Sequence, residues 1–182
     1  MKKVLIVFLA LVFPASVFAM DIPQGKYEIT GTTSFGFSST SIDVDGGGEA
    51  DVDTIELNLD AQYYFQKNFA VGAFFEYEDV DADLGGDATF WMIGPQATYN
   101  ISLDEKLSVF LNGGVGYANY EIGDVDADGF GFRVAGGLKY FFTSNIAAVA
   151  QLRYTWLSLD VDNGPDVDYD DFGLGIGFSF LF

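Results

Sequence analysis

The chain has 182 residues, is 49% hydrophobic and carries 27 acidic against 8 basic side chains, for a formal net charge of −19. Without cysteine or histidine it has no disulfide framework, no lipid anchor on cysteine and none of the Ser-His or His-metal constellations on which hydrolysis and acyl transfer usually depend. Its charge argues against nucleic acid, whose phosphates it would repel, and its joint acidity and greasiness fit a wall of apolar residues in lipid with acids in the connecting loops.

The first element is a leader. Lys2 and Lys3 precede an apolar run from Val4 to Ala19 that ends in Val17-Phe18-Ala19, the pattern of a secretory signal peptide cleaved after residue 19. The run is shorter than the roughly 20 residues a spanning helix needs, and Pro14 interrupts it. Residues 20–182 then form one domain in which all 27 acids remain.

Eight segments with period-two alternation follow. They are Lys26–Phe37, Thr54–Phe65, Phe69–Tyr77, Thr89–Ile101, Leu107–Tyr120, Gly129–Phe142, Ile146–Leu157 and Asp171–Phe182. In the second, Ile55, Leu57, Leu59, Ala61, Tyr63 and Phe65 alternate with Glu56, Asn58, Asp60, Gln62 and Tyr64. In the last, Phe172, Leu174, Ile176, Phe178, Phe180 and Phe182 alternate with Gly173, Gly175, Gly177, Ser179 and Leu181. Alternate residues of a strand point to opposite faces. A soluble barrel would turn the greasy face inward and show charges to water, so a face of glycine belongs in a narrow lumen and the greasy face belongs in lipid. The expected fold is an all-β, eight-stranded antiparallel up-and-down transmembrane β-barrel. Pro95 falls on the lipid-facing parity of the fourth strand, where a bulge or one absent ladder bond is expected.

Short turns follow the second, fourth and sixth strands. Longer Asp- and Gly-rich stretches follow the first, third, fifth and seventh. That alternation is the bacterial outer-membrane pattern, with both termini periplasmic and the long loops extracellular. Tyr27, Tyr63, Phe65, Phe69, Tyr99, Tyr140, Phe142, Phe180 and Phe182 predict one aromatic girdle. Phe35, Tyr77, Trp91, Tyr117, Phe130, Tyr154 and Trp156 predict the other.

With these features the chain resembles the small OmpA/OmpX-type outer-membrane β-barrel proteins over its whole mature length. The resemblance implies that the aromatic C-terminal strand, through Phe178, Phe180 and Phe182, is read by the barrel-assembly machinery. It also implies contact with outer-membrane lipid and lipopolysaccharide. Ending at the barrel, the chain is expected to lack the periplasmic peptidoglycan-binding domain of the larger members. Lipid-modifying barrels of similar wall typically carry a catalytic His and Ser, and the first is missing here.

Two polar constellations remain. Glu56, Asp60, Glu76, Arg133, Lys139, Gln151 and Arg153 share the lumen parity, joined by Glu28 near the short-turn end. Charges in a narrow barrel should pair, so these predict an ion network that plugs the lumen. The acids of the four longer stretches recur as Asp-Val-Asp, and Asp124, Asp126 and Asp128 copy the start of a calcium loop. The bidentate Glu that loop requires is replaced by Ala135, so no EF-hand exists and at most weak Ca²⁺ binding is expected. No other cofactor and no catalytic residue is expected. The reading is a non-enzymatic barrel with acidic surface loops, contributing to envelope integrity or to surface interaction and adhesion with an unidentified ligand. The alternatives are a small cation-preferring channel and, less favoured, a lipid-modifying enzyme, for which a histidine-free acid/base pair of carboxylates, for instance Glu56 with Glu76, is conceivable.

Overall fold

A computed structural model describes residues 21–35, 52–82, 88–123, 125–161 and 167–182. The leader, most of the acidic stretches and Asp124 lie outside the described residues. The strands are β1 (Tyr27–Phe35), β2 (Val52–Gln66), β3 (Phe69–Ala82), β4 (Ala88–Ser102), β5 (Leu107–Ile122), β6 (Val125–Thr143), β7 (Ile146–Val161) and β8 (Val167–Leu181). Each pairs antiparallel with its neighbours in sequence, and β8 pairs with β1, so the sheet closes into a barrel without a free edge. Closure is what lets a sheet sit in hydrocarbon, because no ladder is left without a partner.

The parity read from the sequence is the parity observed. Ile29, Leu57, Leu59, Val71, Ile93, Leu111, Val134, Leu138, Leu152, Leu174 and Ile176 all stand exposed on the outer wall, while their strand neighbours are buried in the lumen. Aromatic rings touch in two belts. Tyr27 lies 4.9 Å from Tyr63, Phe65 5.0 Å from Phe69 and Tyr140 5.6 Å from Phe142 near the short turns. Trp91 lies 5.7 Å from Tyr117 and Tyr117 5.5 Å from Phe130 near the opposite end. Phe132, absent from the expected girdle, completes this second belt by stacking on Trp156 at 5.6 Å.

Pro95 leaves the mark expected of it. β4 and β5 pair Ile93 with Tyr117 and Gln96 with Gly114, skipping Gly94 and Pro95 without a change of register. One ladder bond is missing because proline has no N–H, and no bulge is needed. The strands do not part there, since a Cβ on Gly94 would meet the Val115 carbonyl oxygen at 1.9 Å.

The strand ends differ from the sequence reading in an instructive way. β3 runs on to Ala82 and β7 to Val161. β5 and β6 continue to the pair Ile122–Val125, so a tight hairpin replaces the expected third long loop. The Asp-Val-Asp units have period two themselves, and where they fall among the described residues they extend the strands with polarity reversed. Above the second aromatic belt Glu121, Asp126, Asp128 and Asp160 face out and are exposed, while Ala127, Leu157 and Leu159 face in and are buried. The barrel thus changes from a membrane wall to the wall of a water-soluble barrel partway along the same strands.

The glycine parity of β8 also has a use. A Cβ on Gly173 would meet the Arg153 guanidinium at 3.0 Å, and one on Gly177 would meet the Gly31 carbonyl oxygen at 1.9 Å. Gly177→Ala should therefore strain the β1–β8 seam and cost about 1–3 kcal/mol, the usual range for overpacking. The outward Gly136 has nothing nearer than 3.5 Å to a built Cβ, so Gly136→Ala should leave the urea midpoint unchanged. A matched pair of unfolding curves in detergent micelles checks both.

Candidate functional site

Among the described residues the lumen is where the fold gathers most chemistry-bearing side chains, and it is filled in layers. At the short-turn end Ile22, Tyr64, Ala70, Phe141, Ala147 and Leu181 form an apolar floor. Directly above it Glu28 is fully buried and accepts from Lys139 Nζ at 2.6 Å, Gln62 Nε2 at 2.5 Å, the Tyr64 hydroxyl and the Ser179 hydroxyl. Lys139 also lies over the Phe110 ring at 5.1 Å. A buried carboxylate is tolerable only with such a set of donors, one of them charged.

The middle layer is built on Arg133, which has no exposed surface. Its guanidinium donates to Asp60 at 2.5 Å, to Glu76 at 3.0 Å and to Gln96 Oε1 at 2.9 Å, with its flat face 4.5 Å from the Phe74 ring. Asn112 donates to the same Gln96 oxygen at 2.7 Å, tying β5 to β4. Nearer the loop end Arg153 pairs with Glu56, donates to Asn58 Oδ1 at 2.7 Å and to Asp171 at 2.8 Å, and holds Nε 3.6 Å from Glu76. Arginine suits both places because its fork can serve several acceptors at once. Above this layer Phe74, Phe90, Met92, Ala118, Ala127, Leu157 and Leu159 pack as an apolar cap, with Tyr120 and Tyr169 against it.

All six charges expected in the network are there: Glu56, Asp60, Glu76, Arg133, Lys139 and Arg153 are buried and ion-paired. Asp171, the first residue of the last expected strand, belongs with them, turned in from β8 to Arg153. Its odd position in β8, shared with the inward glycines, is the signal that would have found it. The cap joins Phe74, Phe90, Met92, Ala118 and Leu157, on the lumen parity of expected strands, to Ala127, Leu159 and Tyr169, which sit in stretches whose acids suggest loops. Glu56 and Glu76 are each engaged by arginine, so neither is free as half of an acid/base pair.

The remaining candidates lie outside the lumen. Phe178, Phe180 and Phe182 are exposed on the lipid face of the closing strand, and Phe182 exchanges backbone hydrogen bonds with Tyr27. Asp126 and Asp128 stand exposed on β6, in an extended strand where Asn119 donates to Asp126 at 2.7 Å. Among the described residues no group of three or more acids is arranged to hold a metal ion.

A closed eight-stranded barrel with aromatic belts and a C-terminal seam strand matches the family model described as "Outer membrane protein beta-barrel domain" over residues 5–180. The chain belongs to this family. It is an outer-membrane transmembrane β-barrel, and solved barrels resemble it in fold. Neisserial surface protein A is 15% identical, with a TM-score of 0.66 over 87% of this chain and 98% of that one. OprG from Pseudomonas aeruginosa is 18% identical, with a TM-score of 0.57 over 88% and 97%. The N-terminal barrel domain of OprF from the same organism is 16% identical, with a TM-score of 0.57 over 88% and 100%. No curated protein matches the chain.

Proposed function

We propose that this family member is a non-enzymatic barrel that contributes to envelope integrity or to surface interaction, with its short turns in the periplasm and its acidic end outside the cell. The observation that carries the reading is the lumen. It is filled from floor to cap, and five of its carboxylates, Glu28, Glu56, Asp60, Glu76 and Asp171, are each held by Lys139, Arg133 or Arg153. A catalytic carboxylate has to be free to change its charge, and a conducting path has to be open to water. The acids facing out above the second belt give the surface its character. With no described Lys or Arg beside them, they favour contact with lipopolysaccharide phosphates through divalent ions over direct pairing. On this reading the aromatic seam strand is also what the barrel-assembly machinery recognises.

Recording in a planar bilayer tests the plugged lumen. The expected trace shows no steady open level, and a persistent cation-preferring level would replace this reading with that of a small channel. Mass spectrometry of lipid A and phospholipid from cells with and without the protein should show no difference. A modified lipid that appears only with the protein would make it an enzyme.

A further inference from the structure

Ahead of β1 the chain does not simply trail away. Residues 21–26 cross beneath the lumen, and Ile22 is fully buried in the floor while Asp21, Pro23, Gln24 and Gly25 stay exposed. The grip on this segment is concentrated at the β2–β3 turn. Ile22 N–H donates to Asn68 Oδ1 at 2.7 Å and Asn68 N–H returns a bond to the Ile22 carbonyl at 2.9 Å. Asn68 Nδ2 donates to Asp21 at 2.8 Å, and Lys67 pairs with Asp21 at 2.5 Å. Asn68 does this at a φ of 62°, a conformation costly for most side chains but tolerated by asparagine, whose amide supplies two of the bonds.

Two features separate this segment from the wall. Gly25 sits at a φ of 90° with nothing within 4 Å of a built Cβ, so glycine is used there for its backbone freedom rather than for space. It marks a hinge just before the strand begins. Gly25 N–H and the Lys26 carbonyl join the backbone of Tyr64 on β2, both at 2.8 Å, so the hinge end is anchored. Residues 21–24, by contrast, have one buried side chain and bonds only at the β2–β3 turn, whereas the wall is held by continuous ladders. Elements with few buried contacts open at much lower free energy than the body of a protein.

We propose that residues 21–24 are a detachable latch, hinged at Gly25 and clasped on Asn68, which opens and closes the short-turn mouth of the lumen while the barrel wall stays folded. When closed, it shields the floor and the buried Glu28–Lys139 pair above it from water. When open, it removes Ile22 from the floor and exposes Tyr64, whose hydroxyl is a ligand of Glu28. Its charge pair makes it sensitive to acid. Lys67, then Asn68, hold the Asp21 carboxyl below its ordinary range. The stabilisation from ionised Asp21 is therefore present at neutral pH and fades as pH falls through that depressed value. That this mouth faces the periplasm rests on the orientation proposed above. The latch itself does not.

The absence of cysteine gives a clean assay. In protein refolded in detergent, where both ends of the barrel meet the solvent, Ala147→Cys places one thiol in the floor, and Ala70→Cys is the second reporter should the first fail to fold. Asn68→Gly keeps the turn conformation and deletes the side-chain clasp. A small water-soluble thiol reagent should label the floor about tenfold faster in the Asn68→Gly background, with the urea midpoint of the wall unchanged. In the unmodified protein, the Ile22 amide should exchange with solvent faster than wall amides in the middle of β2, such as those of Leu59 to Ala61, by a similar factor. Equal labelling in the two backgrounds, equal exchange at the latch and wall amides, or a wall that unfolds along with the latch would each overturn the proposal. Bilayer conductance is a separate readout, so a plugged lumen can hold whether or not the latch opens.

Discussion

Arg133→Ala should lower the unfolding free energy by about 3–5 kcal/mol, the cost of leaving buried charge uncompensated. The side chain is wholly inside and serves Asp60, Glu76 and Gln96 together, so alanine strips Asp60 of its cation and leaves Glu76 only the more distant Arg153, while Gln96 keeps Asn112. The loss also removes the guanidinium packed on Phe74. Replacing Arg133, Asp60 and Glu76 together by apolar residues of similar volume should restore most of the stability, because desolvated ion pairs gain little over good packing. Urea titration in lipid vesicles, followed by the fluorescence of Trp91 and Trp156, reads both variants. A cost for Arg133→Ala below about 1 kcal/mol would mean that water already solvates these carboxylates.

A charge on the lipid face should be nearly as damaging, and its cost should depend on height. Ile176 lies midway along β8, exposed on the outer wall and paired with Thr33 and Ala150. Ile176→Arg should cost about 2–4 kcal/mol, against about 0–1 kcal/mol for Phe182→Arg at the interface. Phe178→Arg should fall between them in vesicles. In cells it should lose more than refolding alone explains if the terminal strand is an assembly signal. A flat series, with the same cost at all three positions, would place β8 somewhere other than across the bilayer.

Much of this architecture was legible because a strand in a membrane barrel has only two faces. Once Phe182, Phe180 and Phe178 are placed in lipid, parity alone sends Glu56, Asp60, Glu76, Arg133, Lys139 and Arg153 to the lumen. Pro95 can then be recognised as a missing bond before the register is known. Parity says nothing about partners across the barrel. That Arg133 on β6 reaches Asp60 on β2, 73 residues away, depends on closure and on the stagger between strands. A local pattern does not carry that information. The extended strands failed for a different reason. Asp-Val-Asp alternates as strictly as any strand, but with acids on the parity that lower down holds Phe and Leu, and a run of acids resembles a solvated loop more than a wall. Tyr120, Leu157 and Leu159 make sense as inward residues only once the environment outside the barrel is allowed to change along a strand.

That change of environment has a mechanical consequence. It works like a waterline painted on a hull. Raising the barrel by two residues would lift lipid-facing residues of the second belt, Trp91, Tyr117 and Phe130 among them, into water. Sinking it by the same amount, about 5 Å along tilted strands, would push Asp79, Glu121, Asp128 and Asp170 into hydrocarbon. Either displacement is opposed on several strands at once, so the barrel is fixed in height as well as in fold. The two ring belts only cushion that position, and the carboxylates above them set a hard stop.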